Sequence, residues 1–204
     1  MTACRQNIAT CRRTPSKTVL HPTLLALLEA HTPEDADEAR SLAEMRRMLP
    51  QLAQPWSRRQ RPAHFTGSAL LVDLQTGRVA LLHHAKLDKW LQPGGHAEEA
   101  DAGLMHHTAL REAAEETGCT VRLYHDTPTL LDVDVHLIPA RADEPEHHHL
   151  DLRFLVVAEN PQALTLNAAE SFAVQWFSFD AATSLAADAP LARMILKARR
   201  ILGR

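Results

Sequence analysis

Cysteine, surplus positive charge and long apolar runs are all scarce in this chain of 204 residues. The three cysteines, Cys4, Cys11 and Cys119, stand at unrelated spacings and give neither a disulfide framework nor a zinc-ligand pattern. Lys and Arg total 22 against 25 Asp and Glu, a formal net charge of -3. Duplex nucleic acid and anionic membranes need a basic face on their partner, so this balance excludes either as the main partner. No apolar run approaches the roughly 20 residues of a membrane span. The first twenty residues carry Arg5, Arg12, Arg13 and Lys17 with no apolar segment, so they do not read as a secretory signal. What is present, 45% apolar and 23% charged residues, excludes wholesale disorder. The length fits one domain with a small appendage, and the whole reads as a soluble cytoplasmic protein acting on something small.

Residues 1–20 are polar, basic and aperiodic, and are expected to form a flexible leader. From Pro22 the pattern is helical, with Leu24, Leu25, Leu27 and Leu28 as an apolar stripe. Thr32-Pro33 opens a second helix of about 20 residues, with Glu34, Asp35, Asp37 and Glu38 in its first turns and Pro50 as its limit. A proline-bounded connector follows, carrying Arg58, Arg59 and Arg61. The texture then changes to strands. Thr66 to Leu74 and Arg78 to His84 flank Gln75-Thr76-Gly77 and predict a hairpin. A loop from Ala85 to Gly95 leads to a helix with its core at Thr108 to Thr117, ended by Gly118 where a left-handed turn is cheap. Strands are expected at Leu130 to Ile138, His149 to Ala158 and Ser171 to Phe179, and a terminal helix at Pro190 to Leu202. The outcome is an α+β domain at 63–204 behind a helical N-terminal extension at 21–62.

The most informative stretch is Arg111-Glu112-Ala113-Ala114-Glu115-Glu116-Thr117-Gly118-Cys119. On a helix Glu112, Glu115 and Glu116 fall at i, i+3 and i+4, so three carboxylates share one face within a turn. Acidic clusters on helices are commonly solvated surface, yet like charges at this spacing repel, and Arg111 can offset only one of them. Mg2+ or Mn2+ would satisfy the rest, since hard cations take carboxylate oxygens and keep waters for a phosphate to displace. Pro93-Gly94-Gly95 lies just before, and glycine lets the backbone approach a metal or phosphate closely.

These residues resemble the Nudix box, G-x5-E-x7-R-E-U-x-E-E-x-G-U with U apolar. The second half matches at every specified position. In the first half Asp101 stands where the pattern has Glu, and nine residues separate it from Arg111 where the pattern has seven. This reads as a two-residue insertion, with Glu98, Glu99 and Asp101 all candidates for the first acidic role. The resemblance spans roughly residues 64 to 203. It implies a Nudix-type α/β/α sandwich with a mixed sheet, and a pyrophosphohydrolase cutting a diphosphate linkage in a nucleoside diphosphate derivative. It also implies Glu112, Glu115, Glu116 and the Gly94 carbonyl as holders of Mg2+ or Mn2+, with catalytic roles for Glu112, Glu116 and Arg111. Nudix enzymes often draw a further ligand or base from the loop entering the last core strand, which makes Glu170 a fourth acidic candidate. The alternatives are a non-catalytic nucleotide-binding module and an isomerase-like Nudix enzyme.

Outside the box, Asp132, Asp134 and His136 alternate with apolar residues, as do His147, His149, Asp151 and Arg153. If these strands pair, their polar faces coincide as a solvated sheet face, a substrate wall with Arg153 and His149 as contacts, or a zinc site of His136, His147 and His149. Trp90 either contacts substrate near the metal loop or packs that loop against the core. The helical extension could cover the active site or form a homodimer.

Overall fold

The computed structural model describes residues 21–141, 144–166 and 171–204. Its helices are α1 (Pro22–Ala30), α2 (Ala36–Met48), α3 (Met105–Thr117), α4 (Phe179–Leu185) and α5 (Ala189–Ile201). Its strands are β1 (Ala63–Asp73), β2 (Arg78–His84), β3 (Lys89–Leu91), β4 (Gly94–His96), β5 (Val121–Leu123), β6 (Leu130–Ile138), β7 (His147–Ala158) and β8 (Ser171–Ser178). Among the described residues no helix is long and apolar enough to cross a membrane.

The expected hairpin is β1–β2, and Asp73 shapes its turn by accepting a 2.9 Å hydrogen bond from the Gln75 N–H. Helix α2 starts later than Thr32-Pro33 suggested, because Asp35 caps it, its side chain accepting from the Glu38 N–H at 2.8 Å. Gly118 ends α3 at φ +69°, a conformation that glycine adopts without strain. The segment expected as a plain loop at 85–95 contains β3 and the start of β4. Both are too short to carry a periodic signal.

The sheet runs β3–β2–β1–β7–β5, with β4 on β1, β6 on β7 and β8 on β2. β1 and β7 are parallel over ten paired residues, and the other pairings are antiparallel, so the sheet is mixed. Period-2 alternation divides the central strands between two cores. Phe65, Ala69 and Leu71 of β1 and Phe154 and Val156 of β7 face Met105, Ala109 and Ala113 of α3 together with Leu24, Leu28, Leu42 and Met45 of α1 and α2. Leu70, Val72, Leu155 and Val157 point the other way, to Phe179 of α4 and Leu191, Met194 and Ile195 of α5. Helices thus cover both faces, and the N-terminal helices complete one of the two apolar layers.

A buried ionic network ties the extension to the sheet. The carboxylate of Glu38, wholly buried, accepts from Lys197 Nζ at 2.6 Å and lies 2.7 Å from His31 Nε2. It also takes the Val133 N–H of β6 at 3.3 Å. Arg193 forks onto Asp132 at 2.8 and 2.9 Å. Burial alone would raise the Glu38 pKa, but the bonds from His31 and Lys197 outweigh it and hold the carboxyl well below its usual range. Glu38→Ala removes the nearer of the two carboxylates of Lys197, leaving Asp132 at 3.4 Å, and takes the acceptor from the Val133 N–H, and is expected to cost about 1–3 kcal/mol in urea unfolding. Since the folded pKa is depressed, the stabilisation is complete above the unfolded value of about 4.3 and is lost as pH falls below it. Glu38→Gln should flatten that acid limb of the stability profile.

Candidate functional site

The acidic turn is built where α3 passes the end of β4. Strand β4 pairs with β1 through Ser68↔Gly94, Gly67↔Gly95 and Thr66↔His96, which sets the two glycines against the helix. A Cβ on Gly95 would fall 2.6 Å from Glu112 Cδ, so a side chain there would push that carboxylate aside. The Gly94 N–H donates to Glu116 Oε2 at 3.0 Å. These residues border a cleft of about 600 Å³ that is also lined by Arg111, Glu112, Glu115, Glu116, His149 and Asp151.

Arg111 fastens this corner. Its Nη2 donates to the His96 carbonyl at 2.8 Å and to Asp101 Oδ2 at 3.0 Å, while Nη1 reaches Glu112 and Glu115, each at 3.1 Å. Burial works against the charge on Arg111, but the Asp101 bond and the negative charge of Glu112 overcome it and raise its pKa above the ordinary value. Asp101 is buried and also accepts from Thr108 Oγ1 at 3.0 Å and the Glu98 N–H at 2.9 Å. Burial pushes its pKa up, and the bonds from Arg111, Glu98 and Thr108 bring it below the carboxylate norm. Of the three candidates for the first acidic position, it is Asp101 that meets Arg111. Left-handed backbone at Ala102 and Gly103 follows Asp101, just before α3.

The β6–β7 strands pair as expected, with Asp132↔Arg153, Asp134↔Asp151 and His136↔His149. Their polar face is largely buried, which corrects the expectation of a solvated wall. Arg153 is 3% exposed and donates to Asp151 at 2.8 Å, Asp134 at 3.3 Å and Asp132 at 3.4 Å. All three guanidinium nitrogens are engaged, and the residue does not line the cleft, so Arg153 is not a phosphate contact. Trp90 is likewise outside the cleft lining. It stacks on His83 at 5.0 Å and meets Phe177 edge-on at 4.9 Å, packing the β3 loop against the sheet. Glu170 lies outside the described residues.

His149 does face the cleft, but its companions differ from the expected His136 and His147. The ligating nitrogens of His64, His96 and His149 all lie within 4.8 Å of one another. Burial, reinforced by repulsion from His96, lowers the His64 pKa to about 4, and burial with the nearby Arg58 charge does the same for His96. Sequence reasoning missed His64 and His96. His64 sits two residues before Thr66 on the same face of β1, a polar i, i+2, i+4 pattern with Ser68 that an earlier strand start would have revealed.

The family model described as NUDIX domain matches residues 63–198. The chain belongs to the Nudix family. No curated protein matches it. Among solved structures it resembles the C. elegans Ap4A hydrolase binary complex at 18% identity and TM-score 0.54, covering 68% of this chain and 97% of that one. A Nudix-family hydrolase from Clostridium perfringens matches at 25% identity and TM-score 0.48, over 69% and 96% of the two chains. The Nudix domain of Shewanella oneidensis NrtR complexed with ADP ribose matches at 18% and 0.46, over 68% and 87%.

In this Nudix chain the clamp has a structural consequence that can be measured. Arg111→Met strips Asp101 of its cation while leaving it buried, and is expected to lower the unfolding free energy by about 3–5 kcal/mol. Urea titration followed by circular dichroism checks this, and an unchanged midpoint would show that Asp101 does not depend on Arg111.

Proposed function

We propose that this Nudix chain is a pyrophosphohydrolase that cuts a diphosphate linkage in a nucleoside diphosphate derivative, using Mg2+ or Mn2+. The observation that carries this reading is the carboxylate turn of α3 opening onto the cleft beside β4, with Gly95 bare where Glu112 stands. Three carboxylates and a peptide carbonyl are hard oxygen donors, the set that suits Mg2+ or Mn2+. Glu112, Glu115 and Glu116, aided by the Gly94 carbonyl, would hold the ion. Once bound, it would supply positive charge against the phosphate oxygens.

The chain's own residues do the positioning. Arg111 fixes Glu112 and Glu115 and ties the helix to the His96 carbonyl, while the Gly94 N–H orients Glu116. The attacking water needs a proton acceptor, and Glu112, Glu116 and Glu170 are its candidates. His149 and the exposed Arg58 line the cleft, and Arg58 takes the phosphate-binding role that Arg153 cannot fill. An isomerase reading needs the His/Asp strand face as its active surface, and the burial of Asp132 and Asp134 in ion pairs disfavours it. The reading includes a cytoplasmic location, supported by the charge balance and cysteine usage, and accommodates a homodimer through the helical extension.

The test is a panel of nucleoside triphosphates, nucleotide sugars, dinucleoside polyphosphates and coenzyme A derivatives, with each product identified. Phosphate or nucleotide release should require Mg2+ or Mn2+ and fall at least about 100-fold in Glu116→Gln. Turnover unchanged by that substitution rejects the proposal. Thermal stabilisation by nucleotides with no hydrolysis of any of them would favour the non-catalytic module.

A further inference from the structure

We propose that His64, His96 and His149 form a second metal centre, a three-imidazole site for a zinc-type divalent ion in the wall of the same cleft. It lies on the strands, separate from the carboxylates of α3. Three neighbouring strands build it. Strand β1 lies between β4 and β7, with His64 registered against His149 and Thr66 against His96, so all three rings fall on one face of the sheet.

Two local features call for a ligand. His96 Nε2 and His149 Nε2 face each other at 3.2 Å. A tetrahedral ion with bonds of about 2.0–2.1 Å separates its nitrogens by about 3.3–3.4 Å, nearly this spacing. The second feature is His64, which is wholly buried. Its Nδ1 lies 3.3 Å from the Gln60 carbonyl, an acceptor only, so the proton sits on Nδ1. That leaves Nε2 with a bare lone pair, buried and without a hydrogen-bond partner among the described residues. An orphaned buried acceptor is destabilising, whereas a metal ion turns that lone pair into a bond. A carbonyl holding the far nitrogen is also how metal-binding imidazoles are commonly oriented.

A plain stack of hydrogen-bonded histidines accounts for less. One proton can bridge His96 and His149, but His64 Nε2 stays unsatisfied. Of the neighbouring rings, His136 is held by Asp134 at 3.0 Å; His147 Nδ1 lies 2.9 Å from the Pro145 carbonyl and its Nε2 also has no hydrogen-bond partner among the described residues, but His147 is not one of the three rings whose ligating atoms converge. Imidazole donors suit zinc, copper or nickel over Mg2+ or Mn2+, so the two donor sets select different ions. Three protein ligands leave a fourth tetrahedral position for water or an anionic oxygen.

The test uses the full chain without a polyhistidine tag, whose imidazoles would add their own binding to that of the chain's thirteen histidines. The protein is dialysed against chelator, loaded with zinc or cobalt in excess Mg2+, desalted and analysed for metal. About one zinc per chain should remain in wild type, in Glu116→Gln and in His136→Gln. It should be lost in His96→Gln and in His149→Gln, each checked for wild-type circular dichroism. The cobalt form should show the intense visible bands of a four-coordinate site, absent from the same two variants. Wild type that keeps no zinc overturns the proposal, as does retention by folded His96→Gln and His149→Gln together. None of these readouts involves turnover, so failure here is distinct from failure of the hydrolase reading.

Discussion

Everything at the front of the cleft depends on Arg111 because the acidic turn cannot balance its own charge. Two unit charges about 4 Å apart repel by about 4 kcal/mol at an effective dielectric constant of about 20. Glu112, Glu115 and Glu116 concentrate three such charges on one turn, with Asp101 behind them. Arg111 meets Asp101, Glu112 and Glu115 from a single planar fork, and its remaining contact, the His96 carbonyl, fixes where β4 stands relative to the helix. A lysine carries the same charge but cannot address these directions at once. The box arginine therefore acts on geometry as much as on charge, since it sets the distance between the glycine corner and the carboxylates.

The same logic recurs at larger scale in the interior. Asp132, Asp134 and Asp151 are drawn into the protein on β6 and β7, where bare carboxylates would be costly. Arg153 answers all three, Arg193 and Lys197 of α5 answer Asp132, and Lys197 also answers Glu38 of α2. The N-terminal helices are thus joined to the sheet by ions as well as by their leucines. Asp151 connects this network to the cleft: its Oδ1 takes the hydroxyls of Thr66 and Ser68, and its Oδ2 takes Arg153. One wall of the cleft consequently rests on buried charge and has little freedom to move.

How much of this could be read beforehand follows the range of the signals. The β1–β2 hairpin, the span of α3 up to Gly118 and the acidic turn are local patterns, and each appears where the periodicity put it. The alternation of Asp132, Asp134 and His136 against His149, Asp151 and Arg153 was also legible, and so was the pairing of their strands. What could not be read is that this polar face is buried. Period-2 alternation says which residues share a face but not whether a distant segment covers it, and here Glu38 and Arg193 come from opposite ends of the chain. That is why Arg153 read as a phosphate contact and proved to be an interior counter-ion. His64 and His96 were hidden for a related reason, since only the order β4–β1–β7 brings their rings to His149.

The sheet and the helix present chemically different donors to one cavity, and β4 is where they meet. His96 is shared between them: its carbonyl is held by Arg111 at 2.8 Å, and its ring nitrogen faces His149 at 3.2 Å. Two neighbouring sites built from the same ligand type would compete for the same ion. In the two sites proposed, carboxylate oxygens on α3 and imidazole nitrogens on the strands would avoid this, because hard and borderline cations sort between them by donor chemistry. The division follows from secondary structure. A helix places i, i+3 and i+4 carboxylates within one turn, whereas residues from three adjacent strands converge only where short side chains stand roughly perpendicular to the sheet. Since β4 is three residues long and bonded to both β1 and Arg111, a shift of its backbone would disturb both donor sets together.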